Sequence, residues 1–457
     1  MAPTRTDGAE PQLSKSALVG WILFDPACQP FFTLVTTFVF APYFAAALAP
    51  DPAKGQEWWG YATAAAGFSL AVLSPLLGSV ADATGPRKPW IAGSGAILAV
   101  ASSLLWFAAP DVSYAVPLAL VCFGVATVAA EVAAVFNNAM MSRLVPADAL
   151  GRLSGYGWAA GYAGGLLSLV LVLGFLAASP DTGRTYLGFE PLFGLDPAWR
   201  EGDRITGPLS AVWLLLLVWP LFWLTPDAPA TGADGRSAVR ESLIRLKSTI
   251  GEARVHPTIG RFLVANMIYQ DGLVALFAFG GIYGAGVFGW GTAELGIFGI
   301  LLTVTGTAGA IVGGILDDRL GARSVILGSL VALMAICVTI LSLGRDHILF
   351  VAPTGPGGDG LYGSAPERVF LACGMALGAV AGPLQASSRA LLGRLVPAAD
   401  AGRYFGLLAL SGKLTSFMAP LAVAIATAAT GSQSAGPAVL IVFFAAGAVL
   451  LAGTHRE

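Results

Sequence analysis

The sequence predicts an all-α membrane protein in which twelve transmembrane helices form two six-helix, pseudo-symmetric halves. Three observations lead to this prediction. The chain is 56% hydrophobic and only 11% charged, whereas a soluble domain carries about 25% charged residues. Its apolar residues fall in long runs, and two polar motifs recur in the same order in both halves. A duplicated, membrane-embedded helical bundle accounts for all three.

The apolar runs are long enough to cross about 30 Å of hydrocarbon, and they must be helical because lipid cannot satisfy open backbone groups. They predict spans at 17–48, 59–81, 89–109, 114–141, 154–178, 207–225, 259–288, 293–316, 324–344, 367–392, 402–428 and 435–453. The N-terminal half is residues 1–225 and the C-terminal half is residues 259–457. The linker 226–258 is predicted to hold an amphipathic helix, and the loop 179–207 is either an ordered cap or a solvated connection.

Lysine and arginine are concentrated on one side of the predicted spans, which places both termini in the cytoplasm. The polar first sixteen residues lack the charged-then-apolar pattern of a cleaved leader, so the first helix is expected to stay in the membrane. Abundant alanine, glycine and arginine with little asparagine and lysine indicate a GC-rich bacterial genome, and hence a bacterial inner membrane. A net charge of −2 without a basic patch argues against a nucleic-acid partner. The protein is expected to be a monomer.

The first repeated motif follows the second and eighth spans, and it predicts a cytoplasmic gate. Its glycines allow a tight turn and close helix approach. Its aspartates can accept hydrogen bonds from a helix N-terminus or pair with an arginine across the two halves. Such contacts can form in one conformation and break in another. The predicted gate residues are Gly78, Asp82, Gly85 and Arg87 in the first half and Gly314, Asp318, Gly321 and Arg323 in the second.

The second repeated motif recurs 251 positions later, as Arg143-Leu-Val-Pro146 running to Gly151-Arg152 and Arg394-Leu-Val-Pro397 running to Gly402-Arg403. With the gate motif, it resembles the major facilitator superfamily of transporters. The stretches Phe136-Asn137-Asn138, Gly20-Trp21-Ile-Leu-Phe24-Asp25 and Tyr269-Gln270-Asp271-Gly272 are also similar to the vacuolar amino-acid effluxer-like (autophagy-related) family. That family usually has Trp-Ala-Asn where this chain has Pro26-Ala27-Cys28. The resemblance implies secondary transport by alternating access, with export of amino acids.

Few polar groups lie deep in the spans, and each ionisable one costs about 2.5–3.5 kcal/mol near a helix centre. Either they bind substrate and a coupling ion, or they only pair to hold helices together. An acid could carry a proton, and Lys413 could receive a substrate carboxylate. Arg389 is expected to extend to the membrane surface. The candidates for substrate or ion binding are Asp25, Gln29, Glu131, Asn137, Asn138, Asn266, Tyr269, Gln270, Asp271, Gln385 and Lys413.

The sequence therefore predicts a transporter, expected to be proton-coupled, that moves amino acids or similar zwitterions. Its partners would be the lipid bilayer, a small-molecule substrate and protons or another cation. A cation-coupled sugar or glycoside symporter would use the same amides and acids. A non-transporting receptor or assembly factor on the same scaffold is a third possibility. No enzyme, cofactor or metal site is expected, because all three histidines lie outside the spans.

Overall fold

The computed structural model describes residues 14–50, 52–179, 182–231, 257–288, 290, 292–350, 352–354, 361–415, 418–430 and 435–453. Helices make up most of these residues, and a small hairpin pairs β1 (His347–Ile348) with β2 (Ala352–Pro353). In chain order the α-helices are α1 (Lys15–Ile22), α2 (Phe24–Pro30), α3 (Phe40–Tyr43), α4 (Pro52–Thr84), α5 (Lys88–Leu104), α6 (Ala115–Met141), α7 (Leu150–Phe175), α8 (Glu201–Arg204), α9 (Thr206–Leu224), α10 (Pro257–Phe288), α11 (Thr292–Leu320), α12 (Ala322–Leu341), α13 (Ala365–Leu395), α14 (Ala401–Leu414), α15 (Met418–Thr430) and α16 (Ala435–Ala452).

Nine segments within the described residues are long and apolar enough to cross a membrane. They coincide with the predicted first to sixth and eighth to tenth spans: Lys15–Leu48, Trp58–Thr84, Lys88–Phe107, Ala115–Leu144, Ala147–Phe175, Glu201–Leu224, Ile297–Leu320, Ala322–Leu341 and Ala365–Leu395. The other three predicted spans fall on α10, on α14 with α15, and on α16. The chain is thus a multi-pass helical bundle, and the count of twelve stays a prediction.

The first predicted span is not one regular helix. Between α2 and α3 the chain forms a π-helix over Phe31–Phe38, and a second π-helix covers Phe44–Leu48. Pro30 ends α2, and a proline cannot donate the backbone hydrogen bond of an α-helix. After Pro30 the backbone hydrogen-bond pattern changes from α-helix to π-helix, a form that is frequent at functional sites.

The predicted eleventh span, 402–428, is divided where one helix was expected. Helix α14 ends at Leu414 and α15 begins at Met418. Pro420 lies in the first turn of α15, where its missing N–H costs no helical bond. In a helix interior the proline ring clashes with the carbonyl four residues earlier, so Pro420 favours the start of a new helix.

Helices of the first half pack directly on helices of the second. Helix α4 lies along α14, while α7 lies against both α11 and α13. Within the halves, α5 packs on α6, α10 on α16, and α11 on α13. The outward surfaces carry large apolar side chains, such as Phe68, Trp223 and Val449, which suits contact with lipid. All four cysteines are buried and free, which is usual for small core residues.

The loop at 179–207, left open by the sequence, has ordered contacts over its described residues. Ala178 bridges to Thr185, and Arg204 donates to the carbonyl of Trp106 at 2.7 Å. Of the predicted linker 226–258, residues 226–231 lie against the turn between α4 and α5, and residues 257 and 258 begin α10. There Asp227 accepts the backbone N–H groups of Arg87 and Lys88 at 2.8 and 2.9 Å. The predicted amphipathic helix lies outside the described residues.

Candidate functional site

The two repeated motifs meet each other across the halves, at what we call the gate end of the bundle, marked by residues 78–88 and 314–323. Asp318, near the end of α11, accepts hydrogen bonds from the first backbone N–H groups of α7. Its carboxylate lies 3.0 Å from the N of Gly151 and 3.3 Å from the N of Arg152. The Arg152 side chain also pairs with Asp318, at 2.5 Å. Both roles predicted for this aspartate are present together.

Asp82, at the end of α4, makes the equivalent contact with α14. Its two carboxylate oxygens accept the N–H groups of Gly402 at 3.0 Å and Arg403 at 2.8 Å. A carboxylate at a helix N-terminus is favoured by the unpaired N–H groups and by the helix dipole. In each half, therefore, the aspartate of the first motif caps the helix that begins with the second motif of the other half.

Two gate glycines are required by close backbone approach. A Cβ on Gly78 would lie 2.4 Å from the carbonyl oxygen of Gly402, and one on Gly314 would lie 2.7 Å from that of Gly151. Gly85 and Gly321 both have positive φ, at 103° and 84°. The glycines of the motif thus lie at a close backbone approach and at positions with positive φ.

The two gate arginines differ in their partners. Arg87 is buried and pairs with Asp82 in its own half. Burial lowers the pKa of Arg87, and the negative charge of Asp82 opposes that shift. Arg323 instead donates to the carbonyl of Ala452 at the end of α16. Arg394, from the second motif, pairs with Asp317 and lies 3.3 Å from Asp318.

The halves also touch at equivalent positions of the repeat. Arg389 on α13 donates to the side-chain oxygen of Asn138 on α6 at 3.1 Å, and these residues are 251 positions apart. Ser142 donates to the carbonyl of Gly393 at 3.3 Å, again across 251 positions. The same offset separates the two copies of the second motif. Residues that correspond in the two halves therefore face each other between α6 and α13.

The expectation that Arg389 extends to the membrane surface is wrong. Its residue is only 6% exposed. Its guanidinium pairs with Asp25 at 3.0 Å, and it donates to the hydroxyl and the carbonyl of Ser154 at 2.8 and 2.7 Å. The rings of Trp21 and Trp158 lie 5.1 and 5.7 Å from it. The Arg389 side chain turns inward instead, because four hydrogen-bond acceptors and the faces of two indole rings stabilise its charge there.

A face of α7 rich in glycine brings this cluster together. A Cβ on Gly157 would lie 2.4 Å from Asp25, and one on Gly161 would lie 3.5 Å from the same side chain. These glycines allow close packing, and the helix that packs there is α2. Gln29, one turn beyond Asp25, lies against this face within 3.7 Å of the Gly161 position.

Gln385 and Tyr162 join the two halves near the same face. The tyrosine hydroxyl donates to the side-chain oxygen of Gln385 at 2.6 Å. Two helical turns of α7 separate Ser154 from Tyr162, so the polar contacts between α7 and α13 form a short row. The structure thus places Asp25 and Asn138 against Arg389, with Gln29 one turn beyond Asp25 on α2 and Gln385 one turn before Arg389 on α13.

Asp271 lies in a different setting from Asp25. It is buried on α10, and one carboxylate oxygen accepts the backbone N–H of Ala419 at 2.9 Å. That N–H belongs to the first turn of α15, so Asp271 caps the second part of the divided helix. Its other oxygen and the side-chain oxygen of Gln270 are buried with no hydrogen-bond partner among the described residues.

The remaining candidates on α10 are held by serines. Tyr269 is fully buried, with its hydroxyl 2.7 Å from that of Ser388, and Asn266 lies 3.5 Å from the hydroxyl of Ser411. On α6, Glu131 is half-buried, and Asn137 is buried with its side-chain amide unbonded among the described residues. Lys413 belongs to α14, but its side chain lies outside the described residues.

Sequence reasoning missed Arg389 as a site residue, together with Ser154 and Trp158. Arg389 and Asn138 occupy equivalent positions of the repeat, 251 residues apart, and this equivalence is the feature of the sequence that could have identified Arg389. Serine and tryptophan in an apolar helix give no distinct pattern. Within the described residues, no three His, Cys, Asp or Glu side chains are grouped so that they could hold a metal ion.

Comparison with known proteins adds to this geometry. The family model described as "Vacuole effluxer Atg22 like" matches residues 60–457. The chain is 25% identical over 441 residues to "Uncharacterized MFS-type transporter YxiO" of Bacillus subtilis (strain 168), which covers 96% of this chain and 94% of that protein. It is also 25% identical over 304 residues to "Autophagy-related protein 22" of Cryptococcus neoformans var. neoformans serotype D (strain JEC21 / ATCC MYA-565). That match covers 64% of this chain and 48% of the fungal protein, so the chain spans about half the fungal length.

Among solved structures, the fold is similar to that of the major facilitator superfamily transporter FucP in the outward conformation. The TM-score is 0.70 at 15% identity, over 97% of this chain and 99% of that one. A bacterial homologue of the iron transporter ferroportin, in an outward-facing state with soaked iron, gives a TM-score of 0.65 at 14% identity, with 97% and 99% covered. At these identities the likeness is one of fold.

Proposed function

This chain belongs to the vacuole effluxer Atg22-like family of the major facilitator superfamily, and on that basis we propose that it exports amino acids or similar zwitterions in a proton-coupled cycle. That it is an integral, multi-pass membrane transporter follows from its family and fold. The substrate class, the coupling and the direction are our proposal. We add that it has no enzymatic activity and resides in a bacterial inner membrane with both termini cytoplasmic.

Alternating access would be a rocking of residues 1–225 against 259–457, each with six helices, around a site near the middle of the membrane. The gate contacts support this mechanism. Asp82 and Asp318 each hold the first turn of a helix in the opposite half, so these bonds must break when the halves separate at this end. We take this end to be cytoplasmic, and the conformation to be closed toward the cytoplasm.

The observation that carries the substrate class is the pairing of opposite charges inside the predicted spans. Asp25 and Arg389 lie 3.0 Å apart on α2 and α13, both within candidate membrane spans. Charges of both signs suit a ligand that has both an ammonium and a carboxylate group. A neutral sugar could only exchange hydrogen bonds with these side chains, and such bonds offset less of the cost of desolvating two charged groups.

Coupling is proposed to run through Asp25 and Asp271. Asp25 has a cationic partner, whereas Asp271 meets a helix N-terminus and keeps one oxygen unbonded among the described residues. A carboxylate within a span can exchange a proton as access alternates. Two acids with different partners give the cycle two distinct points at which a proton can be held.

The test is transport in proteoliposomes under an imposed pH gradient, with a mixture of radiolabelled amino acids as substrate. Asp25→Asn and Asp271→Asn are expected to lose gradient-driven transport while keeping the folded elution profile. Asp346→Asn is the matched control, because this aspartate is exposed outside the spans. Wild-type transport in both Asp25→Asn and Asp271→Asn would contradict the coupling role.

The same assay separates the alternatives. Gradient-driven uptake of L-fucose or D-xylose, without amino-acid transport, would favour a sugar symporter. The absence of transport of either class would favour a receptor or assembly factor. Likeness to the fucose:proton symporter FucP, at 16% identity, concerns the fold alone and says nothing about the substrate of this chain.

A further inference from the structure

Among the described residues, every hydrogen bond of the Arg389 guanidinium reaches across to the other half of the chain. Arg389 projects from α13, while Asp25 lies on α2, Asn138 on α6 and Ser154 on α7. A buried arginine must keep its charge compensated, because an unpaired charge in such surroundings is costly. The two halves therefore cannot part at this point unless something replaces Asp25 as the counter-ion of Arg389.

Building on the proposed function, we propose that Asp25 and Arg389 form the binding site of an α-amino acid zwitterion, which inserts between them. The substrate ammonium group pairs with Asp25 on α2, and its carboxylate pairs with Arg389 on α13. The direct ion pair seen here is then the empty form of the site. Arg389, rather than Lys413, is the receptor of the substrate carboxylate.

Charge compensation explains why the substrate must carry both groups. With a zwitterion in place, Asp25 exchanges the guanidinium for the substrate ammonium group, and Arg389 exchanges the carboxylate of Asp25 for that of the substrate. The two residues can then separate while each stays paired with an opposite charge. The empty site is compensated by the direct 3.0 Å pair. A ligand with only one charged group would leave Asp25 or Arg389 without a partner.

The surroundings of Arg389 suit a carboxylate. The Nη1 group of Arg389, which now meets Asp25, is the donor available to the substrate carboxylate, because Nε and Nη2 are bonded to Ser154. The Trp21 and Trp158 rings flank the guanidinium. The indole N–H of Trp158 is buried and has no hydrogen-bond partner among the described residues, so it offers the incoming carboxylate an additional donor. The Asp25 side chain is 20% exposed against 7% for Arg389, which makes the acid the first group that a ligand meets.

The first experiment uses the wild-type protein in detergent. Each proteinogenic L-amino acid is screened by the shift in melting temperature, with L-fucose and D-xylose alongside. The strongest amino-acid ligand is then compared with its N-acetyl derivative, which lacks the ammonium group, and its carboxamide, which lacks the carboxylate. We expect both derivatives to bind at least about tenfold more weakly, since a hydrogen bond to a charged group contributes about 1.5–3 kcal/mol. Equal binding of either derivative would overturn the proposal.

Variants locate the site. Arg389→Gln and Asp25→Asn are expected to weaken binding of that amino acid by at least about tenfold. Arg204→Gln is the matched control: Arg204 has the same 6% exposure and lies over the Trp106 ring, yet it belongs to the loop at 179–207. If Arg389→Gln fails to fold, Arg389→Lys keeps the charge but loses the fork geometry, and it should also bind more weakly.

The outcomes distinguish the two proposals. Wild-type affinity for the amino acid in Arg389→Lys and Asp25→Asn would place the site elsewhere, while amino-acid transport would still stand. Binding of a sugar and of no amino acid would overturn both proposals. If no compound shifts the melting temperature of the wild-type protein, that result contradicts both proposals as well.

Discussion

Replacing Gly78 by alanine should force the gate open. The added Cβ would lie 2.4 Å from the carbonyl oxygen and 2.7 Å from the carbonyl carbon of Gly402, where ordinary contacts are 3.4 Å or longer. Both atoms belong to the backbone of α14, so no side chain can turn aside. Helices α4 and α14 must therefore move apart by roughly 1 Å to reach ordinary contact.

That displacement also removes the bonds of Asp82. Its oxygens lie 3.0 and 2.8 Å from the N–H groups of Gly402 and Arg403, and both bonds would stretch beyond hydrogen-bonding distance. Overpacking costs about 1–3 kcal/mol, and each bond to a charged group contributes about 1.5–3 kcal/mol. Because the helices relax in part, the closed conformation is destabilised by about 2–4 kcal/mol relative to the open one. This shifts the equilibrium toward the open conformation by roughly thirtyfold to several hundredfold.

The assay is the alkylation rate of a cysteine placed at Ser142, whose hydroxyl lies 3.3 Å from the Gly393 carbonyl between the halves. A hydrophilic maleimide is added on the cytoplasmic side of inverted membrane vesicles. The matched control is Gly95→Ala, on α5, where an added Cβ has no atom within 4 Å. The same gain in helix propensity accompanies both substitutions.

We expect faster alkylation in Ser142→Cys combined with Gly78→Ala, and the parent rate with Gly95→Ala. Equal rates in both combinations would refute the reasoning. So would a lower melting temperature for Gly78→Ala with no change in alkylation, because the strain would then be released by local unfolding rather than by gate opening.

Two further predictions concern the gate end. Asp318→Asn removes the negative charge that binds the N–H groups of Gly151 and Arg152. Losing roughly 1.4 kcal/mol from the closed conformation should raise the alkylation rate of Ser142→Cys by about tenfold. A rate equal to that of the exposed Asp346→Asn control would contradict this. Gly85→Ala and Gly321→Ala should both lower the melting temperature, since a positive φ costs about 1–3 kcal/mol for other residues. The fall should be larger at Gly85, because only there would the Cβ meet the linker, 2.1 Å from the Pro229 carbonyl; equal falls would show that this contact is unimportant.

The sequence was most informative where polar residues interrupt apolar runs. The gate aspartates could be predicted because Asp82 and Asp318 stand in repeated turns next to basic residues. Their partners at Gly402 and Gly151 could not be derived, since nothing in a single sequence states which helix begins beside which turn. The structure supplies that pairing, and it shows that the two motifs act on each other.

Irregular helices and buried charges were harder to predict. Pro30 and Pro420 each mark a disturbed segment, yet hydropathy alone treats their spans as continuous. The direction in which Arg389 points depends on how α13 is rotated against α2 and α7. Distance from the end of a span, the quantity that the sequence provides, carries no information about that rotation.

The contact between Asn138 and Arg389 constrains the history of this chain. If the two halves arose as copies of one gene, the ancestral protein was a two-fold symmetric dimer, and a residue on its axis met its own copy. Two facing arginines would repel each other, whereas two asparagines can bond. The unequal pair seen here, asparagine in one half and arginine in the other, requires subunits that had already become different, as fusion into one polypeptide permits. This contact on the axis is then younger than the scaffold that holds it.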